Sequence, residues 1–120
     1  MKILLIDDDA ISLSVFSEVL NLHGHECIAY STPDEGVEDF RLNADYDLVI
    51  TDYKMPMFNG IDVLRMISSI NPAAKIIIYS GMQDDHVRKE CFRFGAFDYI
   101  SKPINWTKFI EKIDKLETPN

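Results

Sequence analysis

The sequence predicts a single α/β domain in which five parallel strands form the middle layer of a three-layer sandwich. Short apolar segments alternate five times with stretches whose apolar residues recur at helical spacing. The apolar segments are continuous rather than alternating, which indicates strands that are buried on both faces of a sheet. We therefore predict a (βα)5 fold with right-handed crossovers and the doubly wound strand order 2-1-3-4-5.

Three strands and two helices are predicted in the first half of the chain. Apolar segments predict strands at residues 3–6, 27–30 and 48–51. A helix follows the first strand, and its apolar residues recur at helical spacing: Ile11, Val15, Phe16, Val19 and Leu22. A second, polar helix is expected to begin with a capping box formed by Thr32 and Glu35. Its predicted inward-facing side chains are Val37, Phe40 and Leu42.

Two further strands and three helices are predicted in the second half. The strands are expected at residues 76–79 and 97–100. The helix before the first of them carries, at helical spacing, Ile61, Leu64, Ile67 and Ile70. The next helix is marked by Val87, Cys91 and Phe94. Asn105 is expected to cap a last helix, whose apolar face comprises Trp106, Phe109, Ile110, Ile113 and Leu116.

Composition narrows the class of protein. The domain is predicted to span residues 1–117, followed by a tail at 118–120. A net charge of −8 argues against direct binding to nucleic acid, which favours basic surfaces. The first apolar segment is too short for a signal peptide or a membrane span, so no membrane contact is expected. Cys27 and Cys91 lack metal-binding spacing and are expected to be reduced thiols in a cytoplasmic protein.

Polar and charged residues lie at the ends of four predicted strands. Asp7 and Asp8 follow the first strand, and Asp52 ends the third. Ser80 ends the fourth strand, and Lys102 follows the fifth. Each residue alone would be an ordinary loop residue, but ligands of such sheets bind at the carboxyl ends of the strands. Three carboxylates that meet there raise each other's pKa unless a cation joins them, and an all-oxygen ligand set suits Mg²⁺.

Four motifs together resemble the receiver domain of two-component response regulators. They are I-D-D at residues 6–8, T-D-Y-K-M-P at 51–56, Y-S-G at 79–81 and F-D-Y-I-S-K-P at 97–103. In this order and spacing they cover essentially the whole chain. The resemblance implies the flavodoxin-like fold of the chemotaxis regulators. Because the chemotaxis receiver is itself an established example of the 2-1-3-4-5 order, the resemblance and the predicted topology are not independent.

The resemblance implies a role for each matching residue at the strand ends. Asp52 matches the phosphoacceptor carboxylate. Asp7 and Asp8 match the acidic pair that holds Mg²⁺, with Asp8 and Asp52 expected as the direct side-chain ligands and the backbone carbonyl of Lys54 as the third protein ligand. Lys102 matches the lysine that pairs with the phosphoryl oxygens.

Further matches concern the switch between inactive and active states. Ser80 matches the hydroxyl residue that follows the phosphoryl group, and Tyr99 matches the aromatic residue that moves between exposed and buried rotamers. Partners are expected to read the face made by the fourth helix, the fifth strand and the fifth helix. Phe92 is the expected exposed anchor there, whereas Trp106 and Phe109 are assigned to the core.

The function that the resemblance implies is a phosphoryl-accepting signalling switch. The phosphoryl group is expected to come from a sensor histidine kinase or a phosphotransfer protein. The implied chemistry is Mg²⁺-dependent self-phosphorylation and autodephosphorylation rather than turnover of a separate substrate. A downstream protein or an attached output domain is expected to read the switch, and the chain is expected to be a monomer or a phosphorylation-dependent dimer.

The acidic strand ends and Lys54 argue against three alternative functions. A flavodoxin-like coenzyme binder needs a phosphate-binding loop after the first strand, where this chain carries three aspartates. A haloacid-dehalogenase-type phosphatase needs a second acid two residues after the nucleophile, where Lys54 stands. An interaction module that works without phosphorylation would not require the carboxylates of Asp7, Asp8 and Asp52.

Overall fold

The computed structural model describes residues 1–43, 45–81 and 85–117, which form five strands and five helices. The strands are β1 (Lys2–Ile6), β2 (Glu26–Tyr30), β3 (Leu48–Asp52), β4 (Ile76–Ser80) and β5 (Asp98–Ser101). The helices are α1 (Ala10–Leu22), α2 (Pro33–Leu42), α3 (Gly60–Ile70), α4 (Asp85–Arg93) and α5 (Trp106–Glu117). The predicted tail, 118–120, lies outside the described residues.

All strand pairs are parallel, and the sheet has the order β2-β1-β3-β4-β5. The predicted fold class and topology are therefore confirmed. Within the described ranges, no helix is long and apolar enough to cross a membrane.

The sheet separates two apolar cores. Successive side chains of a strand point to opposite faces, so Ile3 and Leu5 pack against α1 and α5, whereas Leu4 and Ile6 pack on the side of α2, α3 and α4. The central strands β3 and β4 are buried along their whole length. This burial on both faces explains why their sequences are continuous apolar runs.

An aromatic cluster fills the core on the α1 and α5 side. The ring of Phe16 lies at its centre, with centroid distances of 4.5 Å to Tyr79, 4.9 Å to Trp106 and 5.6 Å to Phe109. Phe109 is buried and Trp106 is half-buried, as predicted for the inward face of α5. The cap predicted for this helix is also confirmed, because Asn105 Oδ1 accepts a hydrogen bond from the Lys108 backbone N–H at 3.1 Å.

The capping box predicted for α2 is wrong. Thr32 is the N-cap residue, but its side chain makes no capping hydrogen bond, and its buried Oγ1 has no partner among the described residues. A capping box forms instead at α3, which follows the loop after β3. There the Asp62 backbone N–H donates to Asn59 Oδ1 at 2.9 Å, and the Asn59 backbone N–H donates to Asp62 Oδ2 at 2.9 Å.

Several apolar side chains that follow the helical period are exposed. The buried residues of α1 are Phe16, which the predicted stripe includes, and Leu20, which it does not. The exposed residues of the predicted stripes are Ile11, Val15, Leu22, Leu42 and Phe94. Four of these five lie in the first or last turn of a helix or just beyond its end. Periodicity predicts the direction of a side chain around the helix axis but not how far the core extends along that axis.

Candidate functional site

The register of the sheet aligns three polar side chains in one row. Ile6 pairs with Thr51, and Asp52 pairs with Tyr79. Asp7 follows Ile6 directly, so Asp7, Asp52 and Tyr79 are neighbours across β1, β3 and β4 at the carboxyl edge. By the alternation of side chains they share the α1 and α5 face of the sheet.

Three carboxylates meet at this edge, as predicted. Asp7, Asp8 and Asp52 each offer one oxygen to a group whose three atoms lie within 4.8 Å of one another. Asp7 and Asp52 are buried, whereas Asp8 is exposed. Like charges this close repel one another, and a cation between them would offset that repulsion. The donors are all oxygen, and one side of the group is open to solvent, so the set fits a hard divalent cation that keeps part of its water shell.

Burial and neighbouring groups act on the pKa of Asp52 in opposite directions. Burial and the negative charge of Asp7 raise the pKa of Asp52 to about 6, although Lys102 and the Tyr53 backbone amide act in the opposite direction. Asp52 Oδ1 accepts a hydrogen bond from the Tyr53 N–H at 2.9 Å and lies 3.5 Å from Lys102 Nζ. A second cation beside Asp52 would favour its ionised, nucleophilic form.

Tyr79 is a member of the site that the sequence prediction missed. Its hydroxyl donates to Asp7 Oδ2 at 2.5 Å, and both residues are fully buried. Burial and the charge of Asp7 raise the pKa of the Tyr79 hydroxyl well above its ordinary value, so it remains a donor at neutral pH. Two sequence signals could have identified it. Tyr79 precedes Ser80 at a strand end, and a buried tyrosine hydroxyl needs a partner.

The loop after β3 folds back against the strand. The Gly60 N–H donates to the Tyr53 carbonyl at 2.7 Å. A Cβ atom at Gly60 would lie 2.9 Å from the Asp52 carbonyl oxygen and 3.0 Å from Tyr53 Cα, so only glycine fits without displacement. Met57 adopts a left-handed backbone conformation with φ of 69°. Lys54 lies in this loop with an exposed side chain.

Lys102 reaches the acidic group from the loop after β5. The peptide bond between Lys102 and Pro103 is cis, and the Lys102 backbone N–H donates to the Ser80 carbonyl at 2.8 Å. The Lys102 ammonium lies 5.0 Å from the centroid of the Tyr79 ring. Four of the predicted charged residues, Asp7, Asp8, Asp52 and Lys102, therefore come together.

The two predicted switch residues lie on the other face of the sheet. Ser80 is buried at the end of β4, and its alternation with Ile78 assigns it to the side of α2, α3 and α4. Tyr99 is 8% exposed and belongs to the same core, where it pairs with Ile78 in the sheet register. Ser80 and Tyr99 thus share a face, with Tyr99 further from the carboxyl edge.

Comparison with known proteins identifies the family. Residues 3–114 match the model of the response regulator receiver domain. The chain belongs to this family. It is 32% identical over 116 residues to the chemotaxis protein CheY of Thermotoga maritima, with 96% of each chain covered. A response regulator receiver domain protein from Clostridium thermocellum has a similar solved structure, with a TM-score of 0.90 and 35% identity over 96% of this chain and 92% of that one.

The relatives differ in length. The chain is 32% identical to the cell cycle transcriptional regulator CtrA of Caulobacter vibrioides, but it covers only 48% of that protein. Receiver domains occur both nearly alone, as in CheY, and as part of longer regulators.

Receiver domains are the phosphoryl-accepting switches of two-component systems, and this is the function of the chain. As a class they interact with phosphodonor kinases and with output proteins or domains. The family match favours this function over that of a coenzyme binder or a haloacid-dehalogenase-type phosphatase.

Proposed function

We propose that Asp52 is the phosphoacceptor of this receiver domain and that its donor is a phosphohistidine on a sensor histidine kinase or a phosphotransfer protein. A carboxylate oxygen of Asp52 attacks phosphorus, an O–P bond forms, and the P–N bond to the donor imidazole breaks as that ring takes up a proton. The observation that carries the proposal is the position of Asp52, which ends β3 between two other carboxylates and the Lys102 ammonium.

The proposed Mg²⁺ site consists of the side chains of Asp7, Asp8 and Asp52 and the backbone carbonyl of Lys54. The all-oxygen donors and the clustering of three carboxylates support this assignment. Mg²⁺, when bound, spreads the negative charge of the phosphoryl group and so favours transfer. The protein's contribution is to hold the acidic side chains close together before any ion arrives, so that little reorganisation is needed.

Lys102 is proposed to pair with the phosphoryl oxygens and Ser80 to donate its hydroxyl to them. The support for Lys102 is its distance of 3.5 Å from Asp52 Oδ1. Phosphorylation adds about −1.5 to −2 charges and strong acceptor oxygens, and both side chains gain charge-assisted hydrogen bonds from that change. Mg²⁺-dependent self-phosphorylation and autodephosphorylation are the only chemistry that this proposal requires of the chain.

The proposed output surface is the face formed by α4, β5 and α5. Ser80 and Tyr99 share one face of the sheet, so a movement of the hydroxyl toward the phosphoryl group has a route to the aromatic ring. Phe92 on α4 is 37% exposed, which fits an aromatic contact for a partner protein or an attached output domain. Phosphorylation would shift the populations of two conformations that this face already adopts rather than create a new conformation.

Acetyl phosphate and MgCl2 provide the test, with intact mass spectrometry as the measurement. The wild-type chain is expected to gain the mass of one phosphoryl group and Asp52→Asn none. Asp45→Asn is the matched control, because Asp45 is exposed, is paired with Lys2 and lies outside the acidic cluster. A full adduct on Asp52→Asn would overturn the assignment. An unmodified wild-type chain would favour the interaction module that works without phosphorylation.

A further inference from the structure

We propose that Tyr79 is a positioning residue of the phosphorylation site, whose hydroxyl orients Asp7 for metal binding and whose ring supports the Lys102 ammonium. This inference rests on the proposed function, because it assigns Asp7 to the metal site. Tyr79 would contact neither the phosphoryl group nor the reacting oxygen, and its effect is transmitted through the two charged residues that it touches.

The first contact fixes the carboxylate of Asp7. Asp7 Oδ2 accepts a hydrogen bond from the Tyr79 hydroxyl, and Asp7 Oδ1 accepts one from the backbone N–H of Asp9 at 2.9 Å. Rotation of the carboxylate would break both hydrogen bonds, and Asp7 is fully buried, so water could not replace them freely. The remaining lone pairs of Asp7 are thereby aimed in one direction. Partners of this kind orient metal ligands and raise metal affinity.

The second contact involves the face of the Tyr79 ring. Lys102 Nζ lies 5.0 Å from the ring centroid and 3.5 Å from Asp52 Oδ1. A cation near an aromatic face is attracted by the ring quadrupole. A long, one-third-exposed lysine side chain would otherwise sample many rotamers. The ring therefore restricts the ammonium to the neighbourhood of the phosphoacceptor.

The Tyr79 ring is itself immobilised by packing. It is fully buried in the core on the α1 and α5 side, where its centroid lies 4.5 Å from that of Phe16 with an interplanar angle of 34°. A functional group is held accurately when its support is locked by the surrounding core. Tyr79 meets this condition, because its ring is fixed from one side while its hydroxyl and ring face meet the two charged residues.

The alternative is that Tyr79 is an ordinary core tyrosine whose hydroxyl happens to be satisfied by Asp7. The chain offers an internal comparison for that case. The Tyr46 hydroxyl donates to Asp39 Oδ2 at 2.7 Å, so it forms the same type of tyrosine–aspartate bond. Asp39 is not part of the acidic group at the carboxyl edge. The Tyr46 bond is part-buried rather than buried, so removal of each hydroxyl separates a positioning effect at the acidic group from the general loss of a tyrosine–aspartate hydrogen bond.

The principal experiment is calorimetric titration of MgCl2 into the 120-residue chain and its variants. Tyr79→Phe is expected to lower Mg²⁺ affinity about tenfold, whereas Tyr46→Phe should leave it within about twofold. Thermal melts establish that both variants are folded. Equal affinities for Tyr79→Phe and the wild type would overturn the role of the hydroxyl.

A measurement without substitution covers the case in which Tyr79→Phe does not fold. In wild-type protein labelled with ¹³C at tyrosine Cζ, the Tyr79 resonance is expected to shift when Mg²⁺ is added, while the Tyr46 resonance stays in place. A Tyr79 resonance that does not respond to saturating Mg²⁺ would contradict the proposal.

The ring contact has its own readout in the metal-free protein. Tyr79→Phe keeps a ring and should preserve the ring-current shift of the Lys102 Cε protons, whereas Tyr79→Leu should abolish it. Unchanged Lys102 resonances in Tyr79→Leu would overturn this half of the proposal. Failure of the wild-type chain to bind Mg²⁺ would instead overturn the proposed metal set and the hydroxyl's role in it, but the Lys102 readout would still test the ring contact.

Discussion

Lys102 Nζ lies 3.5 Å from Oδ1 of Asp52, so the ammonium of the loop after β5 faces the carboxylate that ends β3. The two side chains differ in environment, since Lys102 is 33% exposed and Asp52 only 9%. Because Asp52 is nearly buried beside a second carboxylate, its ionisation depends strongly on this one neighbour.

Replacement of Lys102 by methionine should raise the pKa of Asp52 above its wild-type value of about 6, since the lysine charge lowers that pKa. Carboxyl ¹³C NMR over a pH series in metal-free buffer measures the change. The same variant should be phosphorylated more slowly by acetyl phosphate.

Lys112→Met is the control for Lys102→Met. Lys112 pairs with Asp98 at 2.7 Å. Its replacement by methionine removes the same unit of charge elsewhere on the surface. An Asp52 titration midpoint that is equal in the two variants would contradict the direct pairing of Lys102 with Asp52.

Asp52→Asn should stabilise the fold at neutral pH. The folded-state pKa of Asp52 is raised from 3.8 to about 6, so between those values the folded state binds more protons at this group than the unfolded state does. The contribution of Asp52 to the free energy of unfolding therefore falls as pH rises through this window and stays low above it. We expect a gain of about 1 to 3 kcal/mol at pH 7 in Asp52→Asn.

Urea denaturation at pH 4 to pH 7 without Mg²⁺ checks this prediction as a difference between the two proteins. Other carboxyls, such as those of Asp9 and Asp39, have lowered pKa values and give the opposite trend in both proteins. Only the difference isolates Asp52. A difference that does not grow from pH 4 to pH 6 would show that Asp52 is not destabilised by ionisation.

Asp8→Ala should weaken Mg²⁺ binding, because it removes the exposed member of the three carboxylates that are grouped at the edge of the sheet. Asp9→Ala is a matched control one residue away. It removes the same charge, but Asp9 is outside the group and accepts a hydrogen bond from Ser12 at 2.8 Å. Calorimetry should give a loss of about tenfold or more for Asp8→Ala and little change for Asp9→Ala. Equal losses would mean that net charge, not ligation, governs affinity.

Gly60→Ala should destabilise the domain by about 1 to 3 kcal/mol, since the added Cβ meets backbone atoms that cannot rotate away. The distances that it would create are 2.9 Å to the Asp52 carbonyl oxygen and 3.0 Å to Tyr53 Cα. Gly81→Ala serves as control, because the nearest atom to its added Cβ is Lys102 Cδ at 4.0 Å. Urea midpoints that are lowered equally in both variants would rule out close approach as the cause.

Beryllofluoride, a mimic of the phosphoryl group, should shift amide resonances well beyond the loops around Asp8 and Asp52. We expect changes in residues 85–110, which contain α4 and β5 and the start of α5, with smaller changes in α2. Two-dimensional amide NMR of the free and treated protein provides the comparison. Shifts confined to the two loops would exclude this face as the output surface.

Much of the charged site was predictable because a parallel sheet brings the carboxyl ends of its strands to one edge. Asp7, Asp8, Asp52 and Lys102 each stand just at or after a strand, so strand ends alone bring them together. Tyr79 was missed because it is the penultimate residue of an otherwise apolar strand. Its place before Ser80 and the need of a buried hydroxyl for a partner are sequence signals, but the register with Asp52 is what places it beside the carboxylates.

The parts of the fold that the sequence did not predict depend on competition between local hydrogen bonds and packing against the sheet. Thr32 and Glu35 have the spacing of a capping box, yet the Thr32 hydroxyl is buried and makes no such bond. Leu42 follows the helical period of α2, but it is the last residue of that helix and is 66% exposed. Local motifs specify which contacts are possible, whereas packing against the sheet decides which ones form.

The aromatic cluster around Phe16 gives the protein an internal optical reporter. Trp106 is the single tryptophan of the sequence, and its ring lies 4.9 Å from Phe16, which in turn lies 4.5 Å from Tyr79. Tyr79 is hydrogen-bonded to Asp7, so a continuous series of contacts joins the acidic group to the indole. Fluorescence excited selectively at the tryptophan, rather than at the five tyrosines of the chain, is therefore expected to respond to ligand-induced movement at Asp7 without any attached dye.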